Sequence, residues 1–247
     1  MYNKIYDFCK VRNEGNIFSN SANTPTPRVQ FLINLLESEG IPYELDKFFT
    51  SRVTGYNIIL KGTSSRMVVA HHDVNNHRID NANDNSASVI NAIMIKKILP
   101  SINVILLDGE EFGGIGSQRV SEQINKGKFG SIEWVLNLEL TGKGGKYFFI
   151  GNYPGKLSNH IKLLFNCPVV DTPFNDSVIF RRNGIDSVVI NPIPPINEKT
   201  NVQWDKETYL DFSLLYNCHS NRDTVETIDT MDMKEFVEDV VLKILKY

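Results

Sequence analysis

The chain has 247 residues, 41% of them hydrophobic and 22% charged, with a formal net charge of −3. That balance excludes a disordered or fibrous protein, and the slight acidity leaves no electrostatic footprint for nucleic acid. The length suits one large α/β domain or two small ones, and the lack of a visible linker or repeat favours one. The apolar runs are too short for a membrane span, and the charges in MYNKIYDFCK interrupt any signal-peptide core. Cys9, Cys167 and Cys218 are too scattered for a disulfide framework and suit a reducing compartment, so a cytoplasmic protein is expected.

In chain order, Tyr2, Ile5, Tyr6 and Cys9 predict a short leading helix, followed by polar coil to residue 23. Thr26 as N-cap and Pro27 at the first helical position open the next helix, whose apolar face is Val29, Leu32, Ile33, Leu35 and Leu36, and Gly40 ends it. Strand-like runs cover Tyr43 to Phe49, Tyr56 to Leu60 and Met67 to Ala70. A helix from Ser86 to Ile98 follows, then a buried strand from Asn103 to Leu107 and a helix from Gly116-Ser117.

Further strands are expected over Trp134 to Leu140, Tyr147 to Ile150 and Ser187 to Ile190, with a helix from Leu157 to Phe165 between the last two. A closing amphipathic helix carries Phe236, Val237, Val240, Val241, Ile244 and Leu245, with Thr230 as its expected cap. Strands alternating with helices predict a mostly parallel central sheet covered by helices on both faces. From Ile193 to Phe212 the pattern lapses into prolines and aromatics, including Trp204 and Tyr209. A segment that long commonly serves as a lid, and it is expected on the substrate side.

His71, Asp73, Asp84, Glu110, Glu111, Glu139 and His219 each fall at the end of a predicted strand or the start of a helix. In an open parallel sheet such positions share one edge. Imidazoles and carboxylates gathered there would repel one another without a cation among them, and zinc takes both donor types.

The motifs stand in the chain as His71-His72-Asp73, Asp84-Asn85-Ser86, Glu110-Glu111 followed by Gly113-Gly114-Ile115-Gly116-Ser117, Glu139-Leu140-Thr141-Gly142, and His219 ahead of Asp223-Thr224. In this order they resemble the di-zinc exopeptidases of the aminopeptidase Y type, relatives of glutamate carboxypeptidase and glutaminyl cyclase. The resemblance implies a zinc-exopeptidase-like fold and two zinc ions. Asp84 would bridge them, His71 and Glu139 would complete one site, and Glu111 and His219 the other. Asp73 would fix the tautomer of His71 through its far nitrogen, and Glu110 would be the general base acting on a metal-activated water. Glu139 departs from the aspartate usual at its position. The His-x-Asp spacing selects His71 over His72, and strand alternation turns His72 away.

Other residues carry plainer expectations. His77 and His160 lie outside the motifs and are expected at the surface, and Cys218 as a small apolar residue rather than a ligand. Asp108 either orients the glutamate pair or caps a turn. The segment holding Asp176-Ser177 and Gly184-Ile185 resembles the family's substrate-side wall.

The function implied is hydrolysis of a terminal peptide bond in a peptide or aminoacyl substrate, with an aminopeptidase foremost. A carboxypeptidase or a deacylase of amino-acid conjugates would need a cation for a free carboxylate, with Arg181, Arg182 or Arg222 as candidates. Glutaminyl cyclisation and a catalytically inactive binding protein are the remaining alternatives.

Overall fold

The computed structural model describes residues 1–11, 25–50, 54–75, 78–193 and 218–246. Thr26 caps α2 (Pro27–Ser38) as the sequence requires, its hydroxyl accepting from the Val29 amide at 3.3 Å. The leading helix α1 covers Lys4–Lys10. The strands are β1 (Glu44–Phe49), β2 (Thr54–Leu60), β3 (Arg66–His71), β4 (Asn103–Leu107), β5 (Trp134–Leu138), β6 (Phe148–Gly151), β7 (Val169–Val170) and β8 (Ser187–Pro192). Between them run α3 (Ala87–Ile98), α4 (Ile115–Asn125), α5 (Lys156–Leu164) and α6 (Asp176–Arg182).

All eight strands form one sheet in the order β1-β2-β4-β3-β5-β8-β6-β7. The central block β4-β3-β5-β8 is parallel throughout, with Met67 opposite both Asn103 and Val135. The flanks depart from parallel. β1 and β2 pair antiparallel, β2 runs antiparallel to β4, and β6 antiparallel to β8. The short β1–β2 connection permits only an antiparallel neighbour. The mostly parallel sheet expected from the alternation is therefore the part that aims the strand ends.

β3 sits between β4 and β5 and is buried on both faces. Val68 and Ala70 join a large core under α2, α3, α5 and the C-terminal helices, while Met67 and Val69 join a smaller one. That alternation sends successive residues to opposite faces and fixes which imidazole faces the site.

The two-residue β7 escapes sequence reading because it is too short to show a period. β5 ends at Leu138 rather than Leu140, because the Asn85 side chain takes the place of a neighbouring strand there. Its Nδ2 donates to Leu138 O at 3.0 Å and its Oδ1 accepts from Leu140 N at 3.1 Å. The last helical stretch begins with α7 (Thr230–Glu235), widens over Phe236–Val241 and ends as α8 (Leu242–Lys246). Its cap is Asp229 rather than Thr230, with the Asp229 carboxylate accepting from Met231 N and Asp232 N at 2.8 and 3.2 Å. A carboxylate there meets two free amides and the positive end of the helix at once. Among the described residues no helix is long and apolar enough to cross a membrane. The segment 194–212, and with it Trp204, Tyr209 and Phe212, lies outside the described residues, as does His77.

Candidate metal centre

Three elements deliver the first imidazole and its surroundings. β3 ends on His71, only 1% exposed, and the chain leaves the sheet through His72 and Asp73. Asp73 lies with its Oδ1 3.4 Å from His71 Nδ1. The same carboxylate also accepts from the backbone of the glutamate pair, from Glu110 N at 3.2 Å and Glu111 N at 3.0 Å. One side chain thus lies against the imidazole and anchors the loop after β4. His72 turns the other way, its Nε2 2.9 Å from Tyr56 O on β2, as strand alternation requires.

Asp84 is not a helix cap. It sits in a wide turn, Ala82–Ser86, where Asp84 and Asn85 leave helical geometry and the peptide between them is cis. The turn is held by a distant residue, since Asp223 accepts from Asn83 N at 2.7 Å and from Asp84 N at 3.0 Å. Asn83 Oδ1 in turn accepts from Gly142 N at 2.8 Å, tying the turn to the chain beyond Glu139. Glu139 follows β5, and Asn137 Nδ2 donates to its Oε1 at 3.2 Å. Among the described residues the non-glycine positive φ angles belong to Asn81, Leu140 and His219. Each belongs to or adjoins a stretch that carries a ligand candidate, the placement expected where a site over-determines its backbone.

The side chains meet in two groups that share Asp84. His71, Asp84 and Glu139 offer atoms within 4.8 Å of one another, and so do Asp84, Glu111 and His219. His71 Nε2 lies 3.3 Å from Asp84 Oδ1 and 3.5 Å from Glu139 Oε2. On the other side His219 Nε2 lies 3.1 Å from both Asp84 Oδ2 and Glu111 Oε1. These separations exceed the ordinary charge-assisted hydrogen bond of about 2.8 Å. They approach the edge of a zinc tetrahedron, roughly 3.4 Å for bonds of about 2.05 Å. The donor set of imidazole nitrogen and carboxylate oxygen also fits zinc.

Electrostatics agree with a site made for cations. Burial alone would depress His71, but Glu139, Asp73 and Asp84 hold its pKa well above the usual imidazole value. His219 is pushed up to about 10 by its contacts with Asp84 and Glu111. Burial works against ionisation of Asp84, yet the two imidazoles hold its pKa well below the carboxylate range. Glu110 belongs to neither ligand group. Burial raises it to about 10, with His71 opposing and Asp176, Glu139 and Asp73 adding to the rise.

A cleft of about 260 Å³ opens over these groups, with Glu110 and Glu111 on its wall and Pro173, Phe174 and Val189 supplying apolar surface. The Asp176 segment expected to line it contributes instead through Thr172–Asn175, while Asp176 itself is fully buried. Cys218 lines the cleft and joins neither ligand group. Asp108 turns its carboxylate to Tyr56 N at 2.8 Å, so it ties β2 to the loop after β4. His160 is half-buried rather than at the surface, its Nε2 3.0 Å from Ile244 O. Arg181 pairs with Asp186 at 3.2 Å and gives Nη2 to Pro154 O at 2.7 Å, and Arg182 is exposed. Neither they nor Arg222 line the cleft. Sequence reasoning placed Asn85 and Asp223 in motifs without giving them a role, since their hydrogen bonds reach remote parts of the chain, and it missed Asn137, which supports Glu139.

The sequence profile of peptidase family M28 matches residues 57–244. None of the curated proteins compared is significantly similar in sequence. Among solved structures, the Legionella pneumophila LapA aminopeptidase is similar with a TM-score of 0.66 at 13% identity, over 99% of this chain and 70% of that one. An Acidobacteriales bacterium glutaminyl cyclase is similar with a TM-score of 0.70 at 16% identity, over 99% of this chain and 92% of its own. The zinc aminopeptidase BSAP of Bacillus subtilis gives a TM-score of 0.59 at 18% identity, and the match spans 80% of this chain and half of BSAP. At these identities the structures speak for the shared fold. With the profile covering most of the sequence, from the β2 strand to the last helix, the chain belongs to peptidase family M28 and is a hydrolase by class.

Proposed function

We propose that this protein is a di-zinc aminopeptidase that removes the first residue of peptides or aminoacyl amides. The observation that supports it is the sharing of Asp84, one oxygen facing His71 and Glu139 and the other facing His219 and Glu111, with Glu110 left outside both groups. Zinc, when bound, supplies a Lewis acid and lowers the pKa of water to about 7. Glu110, held in place through its backbone by Asp73, takes a proton from the attacking water and returns it to the leaving amine. Asp73 keeps the His71 ring oriented, and Asn137 does the same for Glu139.

The sign of the cleft favours a substrate ammonium. Carboxylates of Asp84, Glu110, Glu111 and Glu139 line it, and no lysine or arginine does so among the described residues. A free substrate carboxylate would therefore find no lysine or arginine there to pair with among the described residues, which weighs against the carboxypeptidase and deacylase readings. The test compares aminoacyl amides bearing a free amine with their N-acetyl counterparts, alongside metal analysis. Cleavage of the free-amine series with about two zinc ions per chain is expected. Equal cleavage of the acetylated series would end the aminopeptidase reading.

Glutaminyl cyclisation is the second reading, favoured by a match that spans nearly the whole length of the Acidobacteriales glutaminyl cyclase. Release of ammonia from an N-terminal glutamine without loss of a residue would replace the first reading by this one.

A further inference from the structure

Arg28, the second residue of α2, is 1% exposed, although arginine is almost never buried without a partner charge. Among the described residues its bonds all go to uncharged oxygens. Nε donates to His72 O at 2.9 Å, Nη2 to Ser86 Oγ at 2.8 Å and Nη1 to Val11 O at 3.3 Å. Its guanidinium carbon lies 4.0 Å from the centre of the Phe8 ring, so α1 closes over it.

The two stretches it joins are those that carry two ligand candidates. His72 directly follows His71, and Ser86 lies two residues beyond Asp84 and donates its own hydroxyl to Asn81 O at 2.7 Å. We propose that Arg28 is a positioning residue for the metal centre, its planar fork fixing the exit of β3 against the turn that carries Asp84. Arginine alone suits this task. Its donors point in fixed directions, whereas a lysine ammonium is a point charge on a flexible stem and cannot hold a carbonyl and a hydroxyl in set positions. Burial lowers its pKa to about 10, which leaves it charged at neutral pH. The guanidinium touches neither substrate nor metal; it acts through His71 and Asp84.

This inference rests on the zinc reading above, and the experiment separates the two. Zinc affinity is measured by chelator competition for the full-length protein and for Arg28→Lys, Arg28→Ala and Ser86→Ala, with melting temperature and kcat recorded alongside. Arg28→Lys and Arg28→Ala are expected to lose zinc affinity by about tenfold to a hundredfold, as remote partners of metal ligands do. kcat should fall more than KM changes. Millimolar guanidinium should restore part of the loss in Arg28→Ala and none in Arg28→Lys. If Arg28→Ala does not fold, Arg28→Lys and Ser86→Ala carry the test. Unchanged zinc affinity in Arg28→Lys, or a loss confined to melting temperature, overturns the role of Arg28. Failure of the unaltered protein to bind zinc overturns the metal reading instead.

Discussion

Asp223 holds the backbone of Asp84 from 139 positions away in the chain, its Oδ2 accepting the Asp84 amide at 3.0 Å. Its other oxygen takes the amide of Asn83 at 2.7 Å, so one buried carboxylate spans the turn that presents the shared ligand candidate. Replacing it with alanine leaves two buried amides without partners, at about 1–3 kcal/mol each. Asp223→Ala should therefore lower the melting temperature and the zinc content together. Asp223→Asn, which keeps one acceptor oxygen, should do less of both. An alanine variant that melts and binds zinc like the unaltered protein would show that the turn holds itself.

Glu110→Gln keeps the shape of the side chain and removes its ability to carry a proton. Because Glu110 stands outside both ligand groups, zinc content should stay near that of the unaltered protein while kcat falls by about 10²–10⁴-fold. Dialysed protein assayed by metal analysis and steady-state kinetics checks both halves. Activity surviving in the glutamine variant removes Glu110 as the base.

The site also makes a statement about pH. Burial raises Glu110 to about 10, Asp176 to about 7 and Asp223 to about 6. His219 is raised to about 10 by Asp84 and Glu111. In each case the folded state holds the proton more tightly than the unfolded chain, so the contribution to stability is full below the unfolded pKa and is lost as pH rises through the folded one. For the acids the loss begins near pH 4 and for His219 near pH 6.5. Protein stripped by a chelator should thus melt at a lower temperature at pH 9 than at pH 6. At His219 zinc takes the place of the proton, so its binding should tighten with pH and release protons into a weakly buffered solution. A stripped protein whose melting temperature rises over that interval would contradict the crowding of charge described above.

Gly116 is fixed by lack of space. A Cβ there would lie 2.2 Å from Asp108 O and 2.5 Å from Asn57 Oδ1. Asn57 already accepts from Asp108 N at 3.0 Å and donates to Gly116 O at 3.2 Å, so neither neighbour is free to give way. Gly116→Ala should cost about 1–3 kcal/mol of stability, read from the midpoint of denaturant unfolding. Because Asp108 leads into Glu110, kcat should drop as well. A midpoint equal to that of the unaltered protein would mean that α4 can shift away from the sheet.

The sequence by itself determined the parts of this protein that are written locally. Apolar runs of strand length located β3, β4 and β5, and the polar residues that follow them include His71, Glu110, Glu111 and Glu139. A period of two was enough to separate His71 from His72, because consecutive strand residues face opposite ways. Tertiary structure alone decided what connects remote positions. The grip of Asp223 on Asp84, the amide of Asn85 that ends β5 and the fork of Arg28 between His72 and Ser86 are hydrogen bonds across 44 to 139 positions. Each joins one side chain to two or three isolated backbone or hydroxyl groups, so it leaves no periodic trace. The last cap is a nearer matter, Asp229 rather than its neighbour Thr230, because the Asp229 carboxylate is the one that reaches the amides of Met231 and Asp232.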